Sequence, residues 1–303
     1  MITGLLIGGI SSVFFIEVFR NEYYNFKVFV RNELNKKLNS KELIDSYCSL
    51  STLQEVPKNS TVIIGHAYGN RNEYFFKTDQ MEISNNVKSF LLKNKSKIEK
   101  AIFTGDIFNK PSKEKWDIFY NSFAPYFQII ITPGNHDIGG ATEGMRFSTA
   151  ENELFQEYIS KKQTLEMPFL IKDQGFNLII DDSNNGKNSL IEVTSLLEKN
   201  KIKDQLILLR HHSNLGEDNK VYTINSLYRP SLKRSKVLQN YIEEKLDKYG
   251  DLFIIYGDSK DTFCYKHGGI THIWNGIGSS PSDKILILKE GKIYLYNLIS
   301  YSN

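Results

Sequence analysis

Five strand-like runs of this chain deliver, at their carboxyl ends, side chains able to bind a metal ion or a phosphate. TVIIG (61–65) leads into His66-Ala67-Tyr68-Gly69-Asn70, and KAIFTG (100–105) leads into Asp106. FQIIIT (127–132) passes through Pro133 and Gly134 into Asn135-His136-Asp137, QLILLR (205–210) into His211-His212, and DLFIIYG (251–257) into Asp258-Ser259-Lys260. Singly, each has an ordinary explanation: Gly, Pro, Asn and Asp are the residues turns prefer, and a histidine pair can be structural. Functional groups of a parallel sheet, however, gather beyond the carboxyl ends of its strands, and five such ends in one chain make coincidence a poor account.

The elements that must position these residues alternate. Helical patterns lie near 79–96, 113–124, 149–161, 188–199 and 234–248, with further strand-like runs at EYFFK (73–77) and FNLIID (176–181). Strands separated by helices predict an α/β fold with a largely parallel, buried sheet. TFCYKH, GITHIWNG, KILILKEG and KIYLYNL, near the carboxyl terminus, read as a meander of short strands joined by Gly or Ser-Pro turns. The pattern predicts a domain over 58–303, preceded over 1–57 by an apolar segment, a helix from Glu17 to about Leu38, and a short helix with a linker closed by Pro57.

The charge balance excludes little but points away from nucleic acid. There are 38 basic against 35 acidic side chains, and no run of five like charges. Cys48 and Cys264 fit no zinc-binding spacing and are expected to be reduced and buried, which argues for the cytoplasm. The opening MITGLLIGGISSVFFIEVF carries no basic residue, and its uninterrupted apolar part ends at Ile16, short of the roughly 20 residues of a membrane-spanning helix. Basic residues follow it, so residues 1–19 are expected either to contact the inner face of a membrane or to pack as a helix on protein.

The order of the five ends resembles that of the calcineurin-like metallophosphoesterases, whose pattern is D-x-H, G-D, G-N-H-D or G-N-H-E, a His after a strand, then G-H-x-H. Gly134-Asn135-His136-Asp137 carries the likeness most specifically, with Gly105-Asp106 and His211-His212 at fitting distances, and the likeness covers about residues 60–300. It implies a four-layer α/β/β/α sandwich, here with an extra N-terminal helix. It also implies divalent metal (Mn, Fe or Zn) and hydrolysis of a phosphomonoester or phosphodiester by metal-activated water. The substrate would be a phosphorylated small molecule, lipid or glycan. On this likeness His66, Asp106, Asn135, His211 or His212, and Asp258 are metal ligands. His136 is a proton donor or charge stabiliser, Asp137 orients it and keeps it protonated, and Lys260 supplies positive charge. Tyr68, Arg71, Arg146 and Arg210 are candidates to contact substrate.

The two end motifs depart from the family. Aligned on Gly69-Asn70, the first aspartate is His66 and the partner histidine is Tyr68; at the far end G-H-x-H is Gly257-Asp258-Ser259-Lys260. A lysine ammonium cannot ligate a cation, so one metal site is favoured over two. The altered ends also keep open a catalytically silent protein that binds a phosphorylated ligand or partner in the same cleft.

Overall fold

The computed structural model describes residues 46–69, 83–138, 149–162, 166–185, 187–200, 202, 205–213, 244, 251–259, 262–267, 269–278 and 283–298. The apolar residues 1–19, the helix expected to about Leu38, the strand expected over 73–77 and, apart from Glu244, the helix expected over 234–248 lie outside the described residues.

Two sheets carry the fold. In the six-stranded sheet, β3 (Ser60–Ile64), β4 (Ile98–Phe103) and β5 (Gln128–Ile131) run parallel. On the other side of β3 come β12 (Lys284–Lys289), β13 (Lys292–Asn297) and the two-residue β2 (Thr52–Leu53). The seven-stranded sheet runs in the order β1 (Ser46–Tyr47), β10 (Phe263–His267), β11 (Ile270–Trp274), β9 (Leu252–Tyr256), β8 (Leu206–Arg210), β7 (Phe176–Ile180) and β6 (Phe169–Asp173). Here β11, β9, β8 and β7 are mutually parallel. All five residues of β3, β7, β8 and β11 are buried, as expected of strands covered on both faces.

Alternation along each strand divides the apolar side chains between two faces. Ile63, Ile102 and Ile130 of one sheet meet Leu178, Ile180, Ile207, Leu209 and Ile255 of the other in a shared core. The intervening Val62, Ile64, Ala101, Phe103, Ile129 and Ile131 face away and pack with helices α1 (Asn85–Lys93), α2 (Lys113–Phe123) and α3 (Thr149–Lys162). Ile179, Leu206, Leu208 and Ile254 do the same with α4 (Lys187–Asn200) through Leu190, Val193 and Leu197. Helix α2 shows why these segments coil. Ser112 caps its first turn by accepting from Lys115 N at 3.3 Å, and Trp116, Phe119, Tyr120 and Phe123 fall on one stripe.

Three expectations are corrected. The terminal strands form no single meander: β10 and β11 join the seven-stranded sheet, β11 parallel to β9, whereas β12 crosses to the other sheet and pairs with β3. Turn residues mark where a strand stops but not which sheet the next strand joins: Ile273 of β11 and Leu286 of β12 enter the same core from different sheets. Second, the segment read as helix and linker supplies an edge strand to each sheet, β1 against β10 and β2 against β13. Third, Cys48 and Cys264 are not reduced but joined in a disulfide across 216 residues of sequence. Pairing of β1 with β10 brings them together, and Cys48 N donates to Cys264 O at 3.2 Å.

Candidate metal centre

The carboxyl ends of the parallel strands from both sheets meet at one place, and two glycines permit the approach. A side chain at Gly257 would collide with the carbonyl of Thr104, just beyond β4, and one at Gly105, whose φ is +88°, with the ring of His211. Two non-glycine residues at these ends also take left-handed backbone, His66 at φ 51° and Asp106 at φ 57°. Such conformations cost energy and concentrate at functional sites.

Asp106 is the centre of the arrangement. Its carboxylate, almost wholly buried, lies 3.3 Å from His211 Nε2 through Oδ1 and 3.9 Å from His66 Nε2 through Oδ2. Oδ1 also accepts from the backbone of His136 at 3.1 Å. Burial alone would raise the pKa of Asp106, but the imidazoles of His211, His136 and His66 outweigh it and hold the group well below the usual carboxylate range. His211 responds in the opposite sense: despite burial, Asp106 raises it to about 9.

The remaining ring contacts fix the tautomers. His211 Nδ1 lies 2.8 Å from Thr104 O, His66 Nδ1 3.1 Å from Ile277 O, and His136 Nδ1 3.1 Å from Asn109 O. A carbonyl only accepts, so each Nδ1 carries a proton, and in the neutral form that can ligate, the Nε2 of His66 and of His211 would offer its lone pair beside the same carboxylate. His211 Nε2 is buried, and the group it faces is Asp106 Oδ1. Two ligands of a tetrahedral ion with bonds of about 2.1 Å stand about 3.4 Å apart, close to the observed 3.3 Å between His211 Nε2 and Asp106 Oδ1. The donor set therefore fits a divalent ion of the nitrogen- and oxygen-binding kind. Asp258 joins it: ligand atoms of His211, His212 and Asp258 all lie within 4.8 Å of one another. Asn135 is buried in the adjoining turn, and Tyr68 is buried with its ring 4.2 Å from His66 and 5.3 Å from His136, centroid to centroid.

Asp137 has a different task from the one expected. Its Oδ2 accepts from Asp106 N at 2.7 Å and Gly134 N at 2.9 Å, and its Oδ1 from Ile107 N at 2.9 Å and Phe108 N at 3.3 Å. Orientation of His136 comes instead from the Asn109 carbonyl. Asp137 staples the turn after β5 to the turn after β4, satisfying buried amides that neither strand can pair. Burial and the neighbouring Asp106 push its pKa up to about 6, against the pull of those amides.

Arg210 is also reassigned. It stands opposite Tyr256 in register, on the face of β8 away from His211, and its Nε lies 3.6 Å from Asp181 Oδ2 among fully buried groups. It is not placed to touch a substrate. Lys260, Arg71 and Arg146 lie outside the described residues. The residues missed in the sequence come just after β7: Ser183 Oγ accepts from His212 N at 3.0 Å, and Asn184 Nδ2 donates to Pro133 O at 3.0 Å. The signal was there, because β7 runs into Asp181-Asp182-Ser183-Asn184-Asn185, a sixth polar strand end.

Two sheets whose strand ends converge on a buried carboxylate flanked by imidazoles define a metallophosphoesterase type of fold and site. The profile of the calcineurin-like phosphoesterases matches residues 66–259, and the chain belongs to that family. Among solved structures, it is similar to protein TT1561 of Thermus thermophilus, at 10% identity over 80% of this chain and 99% of that one, with a TM-score of 0.46. It is also similar to GAP50, the anchor in the inner membrane complex of Plasmodium, at 14% identity over 78% and 83% of the two chains, TM-score 0.45. A cold-active protein-tyrosine phosphatase of a psychrophilic Shewanella species matches at 12% identity over 82% and 79%, TM-score 0.37. A search of curated proteins returns no match.

Proposed function

We propose that this protein is a metal-dependent phosphoesterase that hydrolyses a phosphomonoester or phosphodiester. The observation that carries the reading is the buried Asp106 carboxylate with a histidine Nε2 facing each of its oxygens. Asp106, His211, Asn135 and Asp258 would hold the ion, with His66 on the opposite side of the shared carboxylate. A divalent ion bound there lowers the pKa of water and polarises a phosphoryl oxygen. The chain supplies the rest: His136, its Nδ1 held by Asn109 O, presents Nε2 to the leaving oxygen and in its doubly protonated form donates a proton there, and the buried surroundings strengthen each electrostatic contact.

The test is turnover of an aryl phosphate and of a bis-aryl phosphodiester with added manganese, abolished by a chelator and by His136→Ala. Retention of wild-type rates in His136→Ala would sink the catalytic role. One observation favours a silent, ligand-binding protein: Tyr68 packs between His66 and His136 where the family carries a metal-binding histidine. Metal binding and phosphate binding without turnover of either ester would select that reading.

A further inference from the structure

His212 differs from the other histidines of the centre in one respect. Its Nδ1 faces a hydroxyl, Ser183 Oγ at 3.0 Å, rather than a carbonyl. That same oxygen accepts the backbone N–H of His212 at 3.0 Å, and Ser183 is fully buried. Two arrangements satisfy Nδ1. If the ring carries its proton on Nδ1, Ser183 accepts twice and its own O–H is left buried with no acceptor, a costly state. If Ser183 donates to Nδ1, every group of the pair is used, and the proton of a neutral ring is on Nε2. A doubly protonated ring would carry a proton there as well. Nε2 is therefore an N–H in every arrangement that leaves no hydroxyl stranded. It is buried and without a hydrogen-bond partner, and the ring stands edge-on to His211 with centroids 4.7 Å apart.

Resting on the phosphoesterase reading of the site, we propose that His212 is a substrate-binding residue, not a metal ligand: its Nε2–H donates to an anionic oxygen of the bound phosphoryl group, and Ser183 is the positioning residue that fixes this tautomer. Proximity to His211 and Asp258 makes His212 look like a third ligand, but ligation through Nε2 would need the ring proton on Nδ1, which strands the buried Ser183 hydroxyl. Its neighbours account for its aim instead. His211 and Asp258 would hold the ion, and the unused N–H of His212, on a ring grouped with those ligand atoms, would donate to the anion that the ion attracts. The pairing uses residues of two adjacent strand ends, β7 and β8, and Asn184 braces the same turn against Pro133.

Cobalt(II) provides the test, because its visible absorption reports its ligands whether or not the protein turns over. Cobalt stoichiometry, affinity and spectrum are expected to be unchanged in His212→Leu, His212→Gln and Ser183→Ala. In the cobalt-loaded proteins, calorimetric affinity for inorganic phosphate should fall in His212→Leu on the order of ten- to a hundredfold. His212→Gln, whose amide N–H sits near the position of Nε2, should recover most of it, and Ser183→Ala should lose an intermediate amount. Loss of cobalt or a shifted spectrum in His212→Gln makes His212 a ligand and overturns the inference, as does unchanged phosphate affinity in a folded His212→Leu. A wild-type protein that binds no cobalt overturns the metal reading itself, a failure seen before any variant is made.

Discussion

The proton on His211 is where metal and acid compete. With its pKa raised to about 9 by Asp106, metal-free His211 is protonated at pH 7, and an ion bound through Nε2 would have to displace that proton. Metal affinity should therefore climb as pH rises toward 9, with close to one proton released per ion at neutral pH. Calorimetry in buffers of differing ionisation enthalpy measures this, and release of no proton would show that His211 does not ligate. Asp106→Ala and Asn135→Ala should each abolish metal binding. His136→Ala should keep the ion and lose about 100- to 10,000-fold in rate. Asp137→Ala belongs to a different class: it strands four buried amides, those of Asp106, Gly134, Ile107 and Phe108. An unfolding free energy lower by several kcal/mol, about 1–3 for each stranded group before relaxation, should appear in denaturant titrations, with or without metal.

At the scale of elements, the short edge strands β1 and β2 matter more than their length suggests. Each adds to a different sheet, and the disulfide from Cys48 to Cys264 locks the first of them in place. A cross-link closing so long a stretch of chain restricts the unfolded state, typically by 2–5 kcal/mol in measured cases, as an order of magnitude. Cys48→Ser with Cys264→Ser should lower the melting temperature by several degrees, and a reducing agent should do the same to the wild type. Metal stoichiometry should be untouched, because neither cysteine is among the residues that would hold the ion. A variant as stable as the wild type under both conditions would show that pairing of β1 with β10 holds without the bond.

For the whole molecule the centre is a clasp. Asp106, His66 and Asn135 follow strands of the six-stranded sheet, and His211 and Asp258 follow strands of the seven-stranded one. An ion held by both would resist their separation, and a ligand that binds only the folded state adds about 2.7 kcal/mol at a hundred times its dissociation constant. Melting temperature should rise with added manganese and fall with chelator, and Asp258→Ala should blunt the rise. Elemental analysis of metal-loaded protein should find near one ion per chain, and Lys260→His, which exchanges a side chain that cannot ligate for one that can, should move it toward two. Two tightly held ions in the unmutated protein would overturn that proposal.

Gly134-Asn135-His136-Asp137, Gly105-Asp106 and the histidine pair were legible in the sequence because local rules place them: apolar runs make the strands, turn residues end them, and a parallel sheet brings those ends to one side. The helices over α2, α3 and α4 were legible for the same reason, through the spacing of their apolar stripes. What needed the tertiary structure was every choice between partners distant in the chain. Pairing with distant strands, which periodicity does not specify, put β11 and β12 in different sheets and gave the segment around Cys48 an edge to pair with, which closed the disulfide. Arg210 and His211 are neighbours in sequence, yet strand alternation turns one toward Asp181 and the other toward Asp106. Asp137 appears beside His136 in the motif, but its carboxylate is taken by amides about 30 residues earlier in the chain. The sequence by itself determined which atoms could ligate or donate. Only the fold decided which do, because a tautomer or a hydrogen bond is set by whatever group stands opposite, and that group comes from another strand.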